Sequence, residues 1–415
     1  MIKKFLKWLR KCYSKTVNSI AFYPAVISSG FLLLSILMLE LDFSETGKHI
    51  KSQLSWLSLR DASTARSILT TISGGIISLT VFSFSMVMIL LNQAASQMSN
   101  RMLDSMIGNR FQQIILGFYI GTIVYSLFLL STIRDITSGI YVPALSIYLL
   151  LLFTVADIFL FIYFLHYVTQ SVKFETIINR IHKKTLHTLQ HQCCPEKASI
   201  YTPDEKKAQT IFMPSSDYYQ GFNKPSLLRF AEKHDVLVQM LYSPGSYLLE
   251  GSPLLIVSGE KKLHKEDIDE LVVAIDLYSG QPIDKNSYYG YHQLAEVAIK
   301  ALSPGINDPE TAVLSIHALA DLFRFRLYNY LPLMIAGEDE VIRIAVKQLS
   351  FEELFAECFY PIWHYGKGDW YIQDALLQMS EQLLQCDVKK ENQQLLQNFK
   401  TKIELQMSSS VSAFN

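Results

Sequence analysis

Four long apolar runs near the N-terminus constrain this chain more than any other feature. They cover residues 21–41, 68–91, 114–133 and 141–167, and no later segment of the 415 residues is comparable. Each run supplies the roughly 20 apolar residues that a helix needs to cross about 30 Å of hydrocarbon. The sequence therefore predicts an integral membrane α-helical protein with four transmembrane helices.

Composition and charge agree with the membrane class. Hydrophobic residues make up 50% of the chain, charged residues only 18%, and the mean hydropathy is +0.19. A net charge of -1 gives no bulk attraction for nucleic acid, so no nucleic-acid partner is predicted. The five cysteines show no CxxC spacing, which indicates reduced thiols on the cytoplasmic side.

Basic residues near the runs predict the orientation. Twelve lysines and arginines fall on the side of the N-terminus and five on the other side. Because positive residues accumulate on the cytoplasmic side, both termini are expected in the cytoplasm. The first run has no cleavage site of small residues after a short apolar core, so we interpret it as an uncleaved anchor.

The remaining segments predict a second, soluble domain. Residues 1–20 form a basic cytoplasmic N-terminus, and residues 168–207 form a helical extension of the fourth span and a linker. Residues 208–407 are predicted to be a cytoplasmic α+β domain, with strands first and only helices toward the C-terminus, including helices at 264–278 and 338–348. Residues 408–415 are a predicted disordered tail.

A polar residue recurs at every seventh position through the second apolar run and its flanks, a row that we call the heptad seam. The seam consists of Thr64, Thr71, Ser78, Ser85, Asn92 and Ser99. One interpretation is helix packing, to which the small Gly74 and Gly75 beside the seam would contribute. The other is a wetted face that lines a pore in an oligomer, with Thr71, Ser78, Ser85 and Asn92 as pore-lining candidates. Gly117 and Gly121 in the third run have the GxxxG spacing that predicts a close helix contact.

Asp157 lies in the middle of the fourth run. A carboxylate at that depth is costly unless it is protonated, paired or hydrated, so it marks a candidate functional site. The structural alternative is a neutral aspartic acid that is hydrogen-bonded to a serine or threonine of a neighbouring helix. No basic residue lies within the four runs, which leaves water or a permeating cation as the charged partner.

Patterns of catalysis and metal binding are weak. The chain has no HExxH, Walker or Ser-His-Asp pattern, so it is not predicted to be an enzyme and no cofactor is expected. His187, His191 and Cys194 have the i, i+4, i+7 spacing that would place three ligands on one helix face, and they are weak metal candidates. The expected metal content is none.

The stretch "ALSPGINDPETA" predicts a tight corner between two helices. Ser303-Pro304-Gly305 ends the first helix, and Asp308 is well placed as the N-cap of the second, with Pro309 at its first position. Ending one helix and capping the next accounts for most of this motif. The functional alternative is that Ser303, Asn307 and Asp308 contact a ligand or a neighbouring subunit.

Three stretches together suggest a family. "ALSPGINDPETA", "LLNQAASQMSNRML" and "LGFYIGTIVYSLFLL" resemble an uncharacterised bacterial membrane-protein family, the domain of unknown function 2254. The resemblance extends from the first span to about residue 385. It implies a multi-pass protein of the bacterial inner membrane with this topology, and it supplies no established activity.

The sequence leaves two functional hypotheses. The first is an oligomeric ion channel or channel-like transporter whose cytoplasmic domain senses a small ligand or ion and gates it. Its partners would be the lipid bilayer and further copies of the chain, because four helices per subunit are too few to enclose a wide pore. The alternative is a membrane-anchored sensor or scaffold that recruits partners and transports nothing.

Overall fold

The protein is described here by a computed structural model. It describes residues 21–53, 59, 61–97, 110–136, 139–194, 208–386 and 390–412. Ser99, the basic segment 1–20, residues 195–207 of the linker and the last three residues lie outside the described residues. The chain divides into two compact units, residues 1–173 and residues 174–415, which we call the membrane unit and the C-terminal unit.

The membrane unit contains the four predicted spans. Its described elements are α1 (Phe22–Phe43), α2 (Glu45–Gln53), α3 (Ala62–Gln97), α4 (Arg110–Thr132), β1 (Arg134–Ile136), β2 (Gly139–Tyr141) and α5 (Ala144–Ser171). Helices α1, α3, α4 and α5 are long and apolar enough to cross a membrane, which confirms the four predicted transmembrane helices. The short antiparallel hairpin of β1 and β2 connects α4 to α5.

Helices α1 and α4 pack closely because two glycines remove the side chains between them. A Cβ atom built on Gly117 would lie 2.7 Å from Cδ1 of Ile27, and one built on Gly121 would lie 2.6 Å from Cδ2 of Phe31. These distances are shorter than any ordinary contact, so a larger residue would push the helices apart. The close contact that the GxxxG spacing predicts is confirmed.

The C-terminal unit combines two sheets with a group of helices. Its strands are β3 (Ala208–Phe212), β4 (Asp217–Phe222), β5 (Leu237–Met240), β6 (Tyr247–Leu248), β7 (Pro253–Ser258), β8 (Ile275–Leu277), β9 (Met334–Ala336) and β10 (Ile342–Ala345). One sheet has the order β3-β7-β5-β10-β9 and the other the order β6-β4-β8. All pairings are antiparallel except that of β10 with β5.

The helices of this unit complete its two cores. They are α6 (Phe174–Gln192), α7 (Lys224–His234), α8 (Lys265–Val273), α9 (Tyr288–Ala301), α10 (Pro309–Tyr328), α11 (Phe351–Gly366), α12 (Trp370–Gln385) and α13 (Lys390–Ser412). Residues of α7 and α8 share an apolar core with the five-stranded sheet. Phe323 of α10 packs against Phe351, Phe355 and Phe359 of α11, and Phe399 of α13 contacts the same aromatic group.

Two predicted helices in this unit need correction. The segment predicted as a helix at 338–348 contains the strand β10, because pairing with the parallel strand β5 buries Ile344 fully. The helix predicted at 264–278 ends at Val273, and the chain continues as strand β8. The unit is mostly helical with some sheet. Strands β9 and β10 lie between α10 and α11, where only helices are predicted from the sequence.

The predicted extension of the fourth span is a separate helix. Helix α5 ends at Ser171, and α6 begins at Phe174 and belongs to the C-terminal unit. Within that unit α6 packs against α9, where a Cβ built on Gly290 would lie 2.7 Å from Cβ of the buried Thr185. The apolar face of α6 is therefore covered by its own unit.

Candidate functional site

The heptad seam lies on an exposed face of α3. Its five described members, Thr64, Thr71, Ser78, Ser85 and Asn92, are all exposed. Buried residues of α3, such as Leu69 and Ile76, lie on the face that packs against the rest of the unit. A Cβ atom built on Gly74 or Gly75 would meet nothing within 4 Å. The seam and its two glycines are therefore not packed against the described helices of the same chain.

One end of the seam has a local structural role. Asp61, just before α3, accepts hydrogen bonds from the Thr64 hydroxyl, from Oγ of Ser63 at 2.7 Å and from the backbone nitrogen of Thr64 at 2.8 Å. These donors hold the pKa of the Asp61 carboxyl well below its usual range. Ser78 donates to the carbonyl oxygen of Gly74 at 2.9 Å, as serines often do in apolar helices.

Asp157 lies inside the helix bundle and away from the seam. It is fully buried, and neither carboxylate oxygen has a hydrogen-bond partner among the described residues. Thr122 of α4 is adjacent to the carboxylate, and Tyr119, which lies beside Ser83 of α3, is within electrostatic range of it. The hydroxyl oxygens of Ser83, Tyr119 and Thr122 are likewise buried and have no partner among the described residues. Two hydroxyl groups of α4 thus lie near the buried acid of α5, and the hydroxyl group of Ser83 on α3 lies beside one of them.

A cavity adjoins this group. Its volume is about 160 Å³, and it is lined by residues of α3, α4 and α5. Ser83 and Tyr119 lie in its wall, together with Gln113, whose carbonyl oxygen is also buried without a described partner. The cavity is in the half of the bundle where α3 ends and α4 begins.

The other buried aspartate of the membrane unit has a full set of partners. Asp42, at the end of α1, accepts hydrogen bonds from the backbone nitrogens of Leu145 and Ser146 at 3.0 and 2.8 Å, and from Oγ of Ser146 at 2.5 Å. Lys51 Nζ lies 3.2 Å from the same carboxylate. Asp42 therefore caps the first turn of α5. This role is not visible in the sequence, because the capped helix begins about a hundred residues later.

The helix corner has the structure that its sequence predicts. Asp308 is the N-cap of α10 and accepts hydrogen bonds from the nitrogen and the hydroxyl of Thr311, at 3.1 and 2.6 Å. Asn307 has a left-handed backbone conformation with φ of 49°, which asparagine tolerates better than most residues. Ser303 donates its hydroxyl to the carbonyl of Lys300 at 2.7 Å. Of the three candidate contact residues only Asn307 is exposed, and ligand binding at this corner stays a prediction.

The weak metal candidates do not form a three-ligand face. His187 and His191 lie 3.2 Å apart through their Nε2 atoms and are exposed. Helix α6 ends at Gln192, and Cys194 instead pairs with the backbone of Tyr330. Among the described residues no group of three or more histidines, cysteines and acids is arranged to hold a metal ion.

Comparison with known proteins identifies the family. The model of the family described as predicted membrane protein DUF2254 matches residues 17–382. The chain belongs to this family. The uncharacterized protein MT1328 of Mycobacterium tuberculosis strain CDC 1551 / Oshkosh is 24% identical over 334 residues, which cover 76% of this chain and 63% of the relative. The uncharacterized protein Rv1290c of Mycobacterium tuberculosis strain H37Rv gives the same values.

The length of these relatives limits what they imply. This DUF2254 chain spans less than two thirds of the length of the curated relatives it matches. No solved structure matches it. The family supplies the membrane class and no activity, so a function for this DUF2254 protein has to be argued from the seam, from Asp157 and from the C-terminal unit.

Proposed function

We propose that this protein is a homo-oligomeric ion channel or channel-like transporter of the bacterial inner membrane, with both termini in the cytoplasm. The heptad seam of α3 lines the path, and the C-terminal unit senses a small ligand or ion and gates it. The observation that carries the proposal is the exposure of all five described seam residues along the whole span.

The exposed seam needs a polar or tightly packed neighbour. A hydroxyl or amide group that faces lipid without a partner costs roughly 1–3 kcal/mol. The Ser78 hydroxyl donates its hydrogen bond to a carbonyl oxygen of the same helix. That bond does not bring any neighbouring atoms over Gly74 and Gly75. Gly117 and Gly121, by contrast, are covered by α1 of the same chain. A ring of copies with α3 at its centre would supply water to the seam and a neighbouring helix to the two glycines.

Covalent connection supports a gating role for the C-terminal unit. Only Val172 and Lys173 separate the last span from α6, which packs into the core of that unit. A conformational change in the unit would therefore act on α5 without a long flexible linker to absorb it. The unit has its own apolar core around the five-stranded sheet, which is a requirement for an independent sensor.

The test combines flux with assembly. The protein is purified in detergent, its mass is measured by light scattering, and it is reconstituted into liposomes for cation and anion flux. Ser78→Leu and Ser85→Leu are expected to lower flux at least tenfold with the oligomer intact, because leucine makes the constriction apolar.

Thr80→Leu is the matched control for these two variants. Thr80 lies on the half-buried side of the same helix, off the seam, and its hydroxyl donates to the carbonyl oxygen of Ile76 at 2.7 Å, much as Ser78 donates to Gly74. The change therefore also replaces a self-satisfied hydroxyl residue with leucine, and it should leave flux unchanged.

Two outcomes would contradict the channel. One is unchanged flux in both seam variants, and the other is a monomer that conducts nothing. Either result would favour the second candidate function, a membrane-anchored scaffold. A specific feature supports that candidate: Tyr365, Trp370 and Tyr371 are exposed around the α11–α12 corner, and Trp370 is 64% exposed. Exposed aromatic groups of this kind are common in partner-binding surfaces.

The scaffold has its own test. Full-length protein is cross-linked in cells to identify a partner, and the partner is then bound to purified protein. Trp370→Ala and Tyr371→Ala are expected to weaken binding at least tenfold, while exposed Val273→Ala on α8 leaves it unchanged. Equal binding by all three variants would contradict a docking role for the corner.

A further inference from the structure

The hydroxyl groups around Asp157 differ from other buried polar groups of the same bundle. Ser73 of α3 and Ser126 of α4 are buried and hydrogen-bonded to each other at 2.8 Å. Tyr125 donates to the carbonyl oxygen of Ser146 at 3.2 Å. Buried polar groups are usually satisfied in this way, because each unsatisfied one costs roughly 1–3 kcal/mol. In the set around Asp157, Thr122 neighbours the carboxylate and Ser83 neighbours Tyr119, but none of these oxygens makes a hydrogen bond of normal geometry with a described residue.

This unpaired set consists of five oxygen atoms on three helices. They are Oγ of Ser83, Oη of Tyr119, Oγ1 of Thr122 and the two carboxylate oxygens of Asp157. Elsewhere in the unit Asp42, also fully buried, receives four donors. The lack of donors at Asp157 therefore does not reflect a general shortage of donors in the bundle.

The composition of the set indicates what it would hold. Oxygen atoms from carboxylate and hydroxyl groups are the ligands that hard cations such as sodium prefer. The described spans carry arginine only near their ends, at Arg66 and Arg110, and no lysine. His166, on the same helix as Asp157, is exposed, whereas Asp157 is buried. No described cationic side chain of the spans therefore neutralises the acid.

Charge balance sets the valence of the ligand. One carboxylate and one monovalent cation form a neutral pair, whereas a divalent cation would leave a net positive charge in a low-dielectric bundle. Ser83 and Tyr119 also line the neighbouring cavity, whose wall is otherwise mostly apolar and includes neither Asp157 nor Thr122. The cation would therefore be held by the protein oxygens and not by water in that cavity.

We propose that Asp157, together with Ser83, Tyr119 and Thr122, forms a binding site for a monovalent cation inside the helix bundle of each protomer. Sodium is the cation of the right charge and ligand preference with which to probe it. The site is separate from the heptad seam, because Ser83 is buried and the seam is exposed. It does not rest on the proposed channel: cation binding and flux along the seam can each fail without the other.

The experiment measures cation-dependent stability of the full-length protein in detergent. Thermal unfolding is followed by far-UV circular dichroism, which reports secondary structure, in sodium chloride and in choline chloride at equal ionic strength. A ligand at concentration L that binds only the folded protein stabilises it by RT ln(1 + L/Kd), so the unfolding temperature rises with the logarithm of the ligand concentration once that concentration exceeds Kd. We expect a rise in unfolding temperature that grows with the logarithm of the sodium concentration and that choline does not reproduce, and loss of that rise in Asp157→Asn.

Two further variants separate binding from general stability. Thr122→Val keeps the size of the side chain and removes one oxygen, so the sodium concentration needed for a given rise in unfolding temperature should increase roughly threefold to tenfold. Asp42→Asn is the matched control: it changes another buried aspartate, and its sodium-dependent rise should persist although the protein is less stable. Equal unfolding temperatures of the wild type in sodium and choline would overturn the proposal. A full sodium-dependent rise in Asp157→Asn would overturn it as well.

Discussion

The two buried aspartates of the membrane unit should respond in opposite ways to loss of their charge. Asp42 receives two backbone N–H groups and one hydroxyl of the first turn of α5, and it lies 3.2 Å from the Lys51 ammonium. Asp42→Ala leaves all of these donors without their acceptor. Removal of one member of a buried, hydrogen-bonded charge pair typically costs roughly 3–5 kcal/mol.

The expected effect at Asp157 is the reverse. Its carboxylate makes no hydrogen bond of normal geometry with a described residue and has only the Thr122 hydroxyl beside it, so the charged form gains little from the surrounding protein when no cation is bound. Asp157→Asn keeps the shape and removes the ionisable group. In choline, where the site has no ligand, this variant should unfold within about 1 kcal/mol of the wild type or be more stable.

The assay is reversible unfolding of the detergent-solubilised protein by titration with SDS, which gives a free energy of unfolding for each variant. Ser146→Ala tests the same cap from the other side, and it should cost less than Asp42→Ala because the two backbone donors to Asp42 remain. The reasoning fails if Asp42→Ala is as stable as the wild type. It also fails if Asp157→Asn in choline is as destabilised as Asp42→Ala.

Three further predictions concern the C-terminal unit, and thermal unfolding measures each. Gly290→Ala should cost roughly 1–3 kcal/mol, because its Cβ would overlap Thr185, and adding Thr185→Ala should restore part of the loss. Asn307→Gly should keep the corner stable, since glycine accepts positive φ, whereas Asn307→Val should not. Hydrogen bonds from the Ser350 backbone and hydroxyl lower the pKa of Glu353 below 4.5, so the cost of Ser350→Ala should be full at neutral pH and shrink in acid.

The membrane spans could be predicted from sequence because a lipid environment makes length and hydropathy sufficient. The GxxxG contact was predictable for a related reason: Gly117 and Gly121 remove side chains at the spacing of one helix turn. The strand β10 was not. Its short apolar segment fits a helix or a strand equally well in isolation, and its pairing with β5 depends on residues about a hundred positions away.

Candidate functional residues could also be predicted only where their role leaves a mark in the nearby sequence. Asp308 was recognisable as a cap because its partner Thr311 is three residues away. Asp42 has the same function for α5, but its partners are distant in sequence and only the fold brings them together. Asp157 was recognisable from its depth in the fourth run, whereas Ser83, Tyr119 and Thr122 around it were not, because ordinary hydroxyl residues in apolar helices carry no distinguishing pattern.

Helix α3 contributes residues to both proposed sites, and these residues lie on different faces of the helix. At about 3.6 residues per turn, Ser83 points about 140° away from Ser78 and about 160° away from Ser85. The exposure pattern agrees, since Ser83 is buried beside Tyr119 and the two seam serines are exposed. One helix thus presents hydroxyl groups to the interior of its own bundle and to whatever covers its outer face. Binding of a cation at Asp157 would stabilise the contacts of α3 with α4 and α5, and through them the orientation of the seam. If both sites exist, Asp157→Asn should therefore alter the sodium dependence of flux, whereas Ser85→Leu should lower flux and leave sodium binding intact.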